Sequence, residues 1–408
     1  MTQLVGFLGI AFTLTFYTGW AYKLKWISYP LLIGVSLRIG FVLFDYFVIK
    51  LPDHGSDALN FHLQAIAWSQ NGFLEMLQSF PGPTTYFYAW VLAFFYSVFG
   101  PSVLLAQSIS VFMGGGIILL GAHLAQMVAG RRAAIISAWL TALFPTLVLY
   151  SSIPLREPFV VFFFLMALYG SVVWYKYNRV VGVWISILGF ALATFFHGAF
   201  ALGALGFLGM LVLRSLKRAV SGWQANSLKS ASITTSILAP IAIAVLIAGG
   251  VAIPKLGSVI SALDADKIIA IVNYSARDGA AYPAWTQPNT PVELIFKSPV
   301  RLIYFLFSPF PWDVSRPQHL VGLLDGLFYL GVFLYLIKNH KALPAESKFL
   351  LLVAFPVVLA FALAIGNFGT GVRHRAKFIS LFLVILSSVR SKSKPVKNRI
   401  YGSVNRAE

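Results

Sequence analysis

The chain has no cysteine and very few acids, 13 Asp and Glu among 408 residues, and only 11% of its side chains are charged. Without cysteine there is no disulfide framework, no thiolate metal site and no thiol nucleophile. A soluble domain of this size carries about a quarter charged residues. A chain that is 58% hydrophobic with a mean hydropathy of +0.80 is instead a polytopic membrane protein. Also missing are an HExxH helix, a phosphate-binding loop, a GxSxG elbow and a dinucleotide fingerprint. No internal repeat or low-complexity tract is visible, and the lack of an inverted duplication weighs against many secondary transporters.

What is present is apolar run after apolar run. The expected fold class is all-α, a polytopic membrane helix bundle of about 11 transmembrane helices plus two re-entrant or interfacial elements. Eleven stretches are read as crossings of a hydrocarbon core about 30 Å thick: 3–22, 29–50, 103–129, 133–151, 158–175, 180–196, 198–213, 231–253, 319–337, 348–366 and 377–390. Two shorter, aromatic stretches interrupted by Pro or Gly, 84–100 and 299–312, are read as interfacial or re-entrant. With that choice most Lys and Arg fall on one face, which the positive-inside rule makes the cytoplasm. Residues 1–390 then form a single transmembrane domain and 391–408 a basic cytoplasmic tail. The first run lacks a basic leader and a small-residue cleavage site, so it reads as a retained span. The net charge of +18 has the same explanation, loops and a tail facing anionic lipid. No aromatic-basic module accompanies it, so membrane lipid and not nucleic acid is the expected partner.

The opposite face holds 51–102 with its interfacial helices, the turn "SSIPLREP", His197, a long loop (254–298) and "NFGTGVRHRAK". Irregular backbone at membrane depth persists only where protein or a watery cavity shields it, which points to a cavity opening outward. In "LPDHGSDALNFHLQAIAWSQNGF" a helical reading puts His54, Asp57 and Phe61 on one face and His62 on the adjacent one. Asp57 there is either a reagent carboxylate or a first-turn acid. Pro158 holds Arg156 and Glu157 at the mouth of a span whose N-terminal amides favour an anion. After three glycines, Arg373, His374, Arg375 and Lys377 bring basic groups to the face where the orientation rule disfavours them. Guanidinium forks match phosphate oxygens. Arg38 and Asp45, inside the second span, are expected to be structural or cavity-lining. His123 and His197 are read as interior histidines. In the long loop Arg277 opens a turn that reaches substrate, while Asp264 and Asp266 form only a loose D-x-D pair.

The order of these features resembles the GT-C superfamily of polyprenyl-phosphate-dependent membrane glycosyltransferases. Its members follow an early span with an outward loop bearing an Asp, and Asp57, Phe61, His62, Ala65 and Gly72 stand in matching places. A proline-led aromatic stretch ending in "VFG" follows, then "GRRAAIISAWLTALFPTLVLYSS" and an outward acid, Glu157. The likeness covers roughly residues 30–200, with Ala58 in place of the family's second acid. "FLFSPFPW" and "GNFGTGVRHRAKF" are similar to segments of envelope-polysaccharide membrane proteins, including O-antigen and exopolysaccharide polymerases. The resemblance implies a sugar transferase or glycan polymerase in the bacterial inner membrane, facing the periplasm or exterior. Its substrate would be an undecaprenyl-(di)phosphate-linked sugar, and a chain-length-regulating copolymerase would be a fitting partner. Asp57 would be the general base and Glu157 a second acid or metal ligand. Arg156, Arg373 and Arg375 would clamp phosphate, with His62, His374 and Arg277 binding substrate. No metal site is assigned, no cofactor is fixed, and a divalent metal is compatible with the resemblance. Two other classes fit the composition: a flippase for a lipid-linked glycan, and a scaffold of an envelope-assembly complex.

Overall fold

A computed structural model describes residues 2–224, 269–270, 273–274, 276, 278–316 and 319–389. The described chain is helical, and its helices are α1 Thr2–Lys23, α2 Ser28–Phe47, α3 Leu59–Ser69, α4 Phe73–Gln78, α5 Phe87–Phe99, α6 Val103–Ala129, α7 Arg131–Leu143 and α8 Pro145–Tyr150. They continue as α9 Glu157–Tyr177, α10 Val180–Phe196, α11 Ala201–Gln224, α12 Pro291–Phe307, α13 His319–Lys338, α14 Ala345–Ala364 and α15 Phe368–Ser388. Seven of the described helices are long and apolar enough to cross a membrane, those built on α1, α2, α6, α9, α11, α13 and α14. The protein is a multi-pass helical membrane protein.

The other four expected crossings fare differently. Residues 231–253 lie outside the described residues, as do Arg277, Asp264, Asp266 and the basic tail. The run 133–151 is not one helix: Phe144 is extended and Pro145 starts a new helix. Proline offers no N–H, so the carbonyl four residues earlier, that of Thr141, loses its helical donor. Arg38 replaces it. Its guanidinium, wholly buried, donates to the carbonyls of Thr141 (3.2 Å), Ala142 (3.0 Å) and Gly34 (2.8 Å), and to Ser151 Oγ (2.8 Å). The run 180–196 is a helix of 17 residues. The last run, 377–390, belongs to a helix that starts nine residues earlier, so Arg373, Arg375 and Lys377 are helical. Of the two shorter stretches, α5 has 13 residues, about 20 Å of helix against a hydrocarbon core of about 30 Å.

At the centre stands α6, capped by Ser102, whose side chain accepts from Leu105 N at 3.3 Å. Glycines 114–116 let the Arg38, Tyr17 and Phe162 side chains approach its backbone. Beside it α9 and α10 form an antiparallel pair at backbone contact. A Cβ on Gly182 would lie 2.5 Å from Trp174 N, and one on Gly189 2.5 Å from Ala167 N. Small residues are how membrane helices gain close van der Waals packing. We expect Gly189→Ala to force the pair apart and cost about 1–3 kcal/mol, read as a lower thermal-unfolding midpoint in detergent.

A second buried tie fixes the segment before α3. Asp45, at the end of α2, accepts from Leu51 N (2.8 Å), Gln107 Nε2 (2.9 Å) and His54 Nδ1 (2.9 Å), with Lys50 Nζ at 3.5 Å. The chain then reverses at Asp53, whose φ of 65° is left-handed, a region that Asp and Asn tolerate better than most residues.

Candidate functional site

Three stretches distant in sequence meet at one end of the bundle: the turn before α3, the entrance of α9 and the first turns of α15. Asp57 comes from the first. It lies on a π-helical turn, His54–Ala58, that separates it from His54. The expected shared face therefore does not form, and His54 turns to Asp45 while Asp57 reaches Arg373. Arg373 Nη2 donates to Asp57 Oδ2 at 2.6 Å, a charge-assisted bond spanning 316 positions.

The entrance of α9 supplies Arg156 and Glu157, both buried. Glu157 Oε1 lies 3.4 Å from Arg373 Nε and 3.3 Å from Lys377 Nζ. The Arg373 contact is an ion pair without hydrogen-bond alignment, and Glu157 Oε2 has no hydrogen-bond partner among the described residues. Arg156 stacks its guanidinium 5.7 Å from the Phe61 ring and donates once, to Phe196 O at 3.3 Å. Its charge couples to those of Glu157, Arg373 and Asp57.

The helical phase of α15 decides the third contribution. Arg373 and Lys377, four apart, share a face, whereas Arg375 lies about 200° around from Arg373. Asn367 sets that phase by capping the helix, its Oδ1 accepting from Gly369 N (2.7 Å) and Thr370 N (3.3 Å). The start of α15 is also tied to the long loop, where Tyr282 N donates to Gly366 O at 2.7 Å. Lys377 Nζ donates to His374 Nδ1 at 2.9 Å, and the His374 ring lies 5.5 Å from that of His197. Desolvation first, then the charge of Lys377, the His197 ring and the charges of Arg373 and Arg156 push His374 well below the usual histidine range. With Nδ1 accepting from Lys377, that ring nitrogen carries no proton.

The fold thus brings Asp57, Glu157, Arg156, Arg373 and His374 together. One assignment is corrected, and a second residue stands apart from the group. Arg375 does not join the clamp: it is completely buried, its Nε donates to Asp325 at 2.7 Å, and its other donors go to the carbonyls of Leu306, Ser308 and Gly322. His62 is held by Tyr96, with Nδ1 2.8 Å from the phenol oxygen, and burial lowers its basicity. It contacts Tyr96 rather than the Asp57 cluster.

Three further participants have no role in the sequence reading. Lys377 is one of the basic residues after the glycines, and its spacing from Arg373 is the sequence signal that marks it. Asp53, exposed at the rim, is held by the buried Tyr150, whose OH donates to Asp53 Oδ2 at 3.2 Å, and the Asp53 charge reaches Arg373. No local pattern joins these two. Beneath the cluster, a cavity lined by Thr146, Tyr150, Ser151, Glu157 and Ala376 has a volume of about 10 Å³. That accommodates about one water molecule, so a larger ligand must approach from above, where the Asp57 side chain is 43% exposed. Among the described residues no group of three or more His, Asp or Glu is arranged to hold a metal ion.

No protein family, curated protein or solved structure matches the chain.

Proposed function

We propose that this protein is a membrane glycosyltransferase or glycan polymerase. It moves sugar from an undecaprenyl-(di)phosphate-linked donor on the outward face of a bacterial inner membrane, with the eleven crossings and GT-C-like arrangement described from the sequence. The observation that carries this reading is the convergence of Asp57 and Glu157 with Arg156, Arg373 and Lys377 from three remote segments. Ions at the end of a membrane bundle are costly and in general mark function.

The chemistry follows from charge placement. An acceptor hydroxyl attacks the anomeric carbon of the donor while Asp57, in hydrogen-bond reach, takes its proton. The bond from that carbon to the phosphate oxygen breaks, and the electron pair leaves with the phosphate. Arg156 and Arg373 face the negative charge that develops there. Glu157, held against Lys377 and Arg373, positions the guanidinium rather than serving as a second acid. His374, neutral, is able to donate or accept a hydrogen bond to a sugar hydroxyl.

The test is incubation of the purified protein with a defined undecaprenyl-diphosphate oligosaccharide as the sole substrate. Lengthening of the glycan, followed by mass spectrometry, is the polymerase outcome, and transfer of one sugar to an added acceptor is the single-sugar outcome. Recovery of unchanged substrate under both conditions would remove the reading.

A further inference from the structure

We infer that Asp57 occupies Arg373 as an internal stand-in for the ligand, and that an incoming phosphoryl group displaces it and so releases the base. The inference rests on the reading above that the site takes a phosphate-bearing molecule, and adds how that binding is coupled to chemistry.

The argument starts from an inventory of charge. Arg373 pairs with Asp57 and Glu157, Lys377 pairs with Glu157, and Arg156 and Asp53 act on the group through their charges. Three basic side chains meet three acidic ones, so no surplus positive charge is left to attract an anion. For a phosphate to bind, one carboxylate has to give up its cation. Glu157 is a poor candidate, since its side chain is 3% exposed and water cannot replace Arg373 and Lys377 around it. Stripping a buried carboxylate of its partner is strongly unfavourable. Asp57 is 43% exposed, sits on a short turn, and bonds to Arg373 alone among side chains. On release it rehydrates at little cost.

The receiving side is equally asymmetric. Arg373 presents its Nε toward Glu157 without a proper hydrogen bond, and only its Nη2 is firmly engaged. Arg156 is 6% exposed yet makes one hydrogen bond of 3.3 Å. Its remaining donors meet no protein acceptor among the described residues. A tetrahedral anion with several acceptor oxygens matches two partly committed forks better than one carboxylate does. The exchange breaks no covalent bond: Asp57 gives up its bond to Arg373 and has a carboxylate oxygen free at the moment when the leaving group is in place.

Calorimetric titration of the purified full chain with inorganic pyrophosphate, and of the chain in nanodiscs with geranylgeranyl diphosphate, tests this. Asp57→Asn and Asp57→Ser remove the competitor and are expected to tighten binding roughly five- to tenfold. Arg156→Gln and Arg373→Gln are expected to weaken it at least tenfold. Tightening with both probes means the headgroup suffices; tightening with the isoprenoid probe alone assigns the ligand to the membrane. Unchanged or weaker binding by the Asp57 variants overturns the inference. So does a lowered unfolding midpoint in both of them, because the pair would then be a structural tie rather than an exchangeable one. Tightening without glycan transfer would sink the proposed reaction and leave the exchange standing; transfer without tightening would do the reverse.

Discussion

Asp57→Asn is expected to reduce glycan transfer about a hundred- to ten-thousandfold, the range over which a positioned general base contributes. The asparagine keeps the volume but loses both the charge that holds Arg373 and the ability to accept a proton. Folding should be untouched, because the turn that carries Asp57 is fixed by Asp45 through Leu51, His54 and Gln107. The comparison is of turnover and thermal unfolding on the same preparation. Near-normal turnover would take the base role away from Asp57, and a collapse of both would make it a structural residue.

The second large effect is on stability. Asp325→Asn leaves the Arg375 guanidinium in the interior without its counter-ion, and breaking a buried pair from one side costs about 3–5 kcal/mol. The measurement is the unfolding midpoint in detergent. The paired change Asp325→Leu with Arg375→Met should recover much of the loss, since an apolar pair of similar size avoids burying either charge. A clamp role for Arg375 would give the opposite pattern, with ligand affinity lost and stability kept.

The two arginines show where sequence reading succeeds and where it stops. The apolar runs were legible because hydrocarbon imposes length and composition on any helix that crosses it. Asp57, Arg156, Glu157 and Arg373 were legible because charged groups at one end of an apolar bundle have few reasons to be there. Arg375 was not, since two neighbouring basic residues look equivalent in a string and become opposed once the segment is helical. Lying between two apolar runs, 367–377 shows no helical phase in the sequence, which hides that difference and with it the face shared by Arg373 and Lys377. The break at Pro145 was hidden in the same way: an unbroken hydrophobic stretch conceals a lost N–H, and the residue that compensates, Arg38, comes from another helix. The pairing of Tyr150 with Asp53 joins positions 97 apart, which no periodicity reveals.

The glycine contacts between α9 and α10 have a bearing on the charges at their far end. Because the two helices run antiparallel at backbone distance, the start of α9, with Arg156 and Glu157, and the end of α10, with Phe196 and His197, are held at a set gap like the jaws of a caliper. Gly182 sits about 20 Å down the shaft from those jaws. Bulk added there would tilt the shafts and change the opening, altering sugar transfer from a position that never meets the sugar.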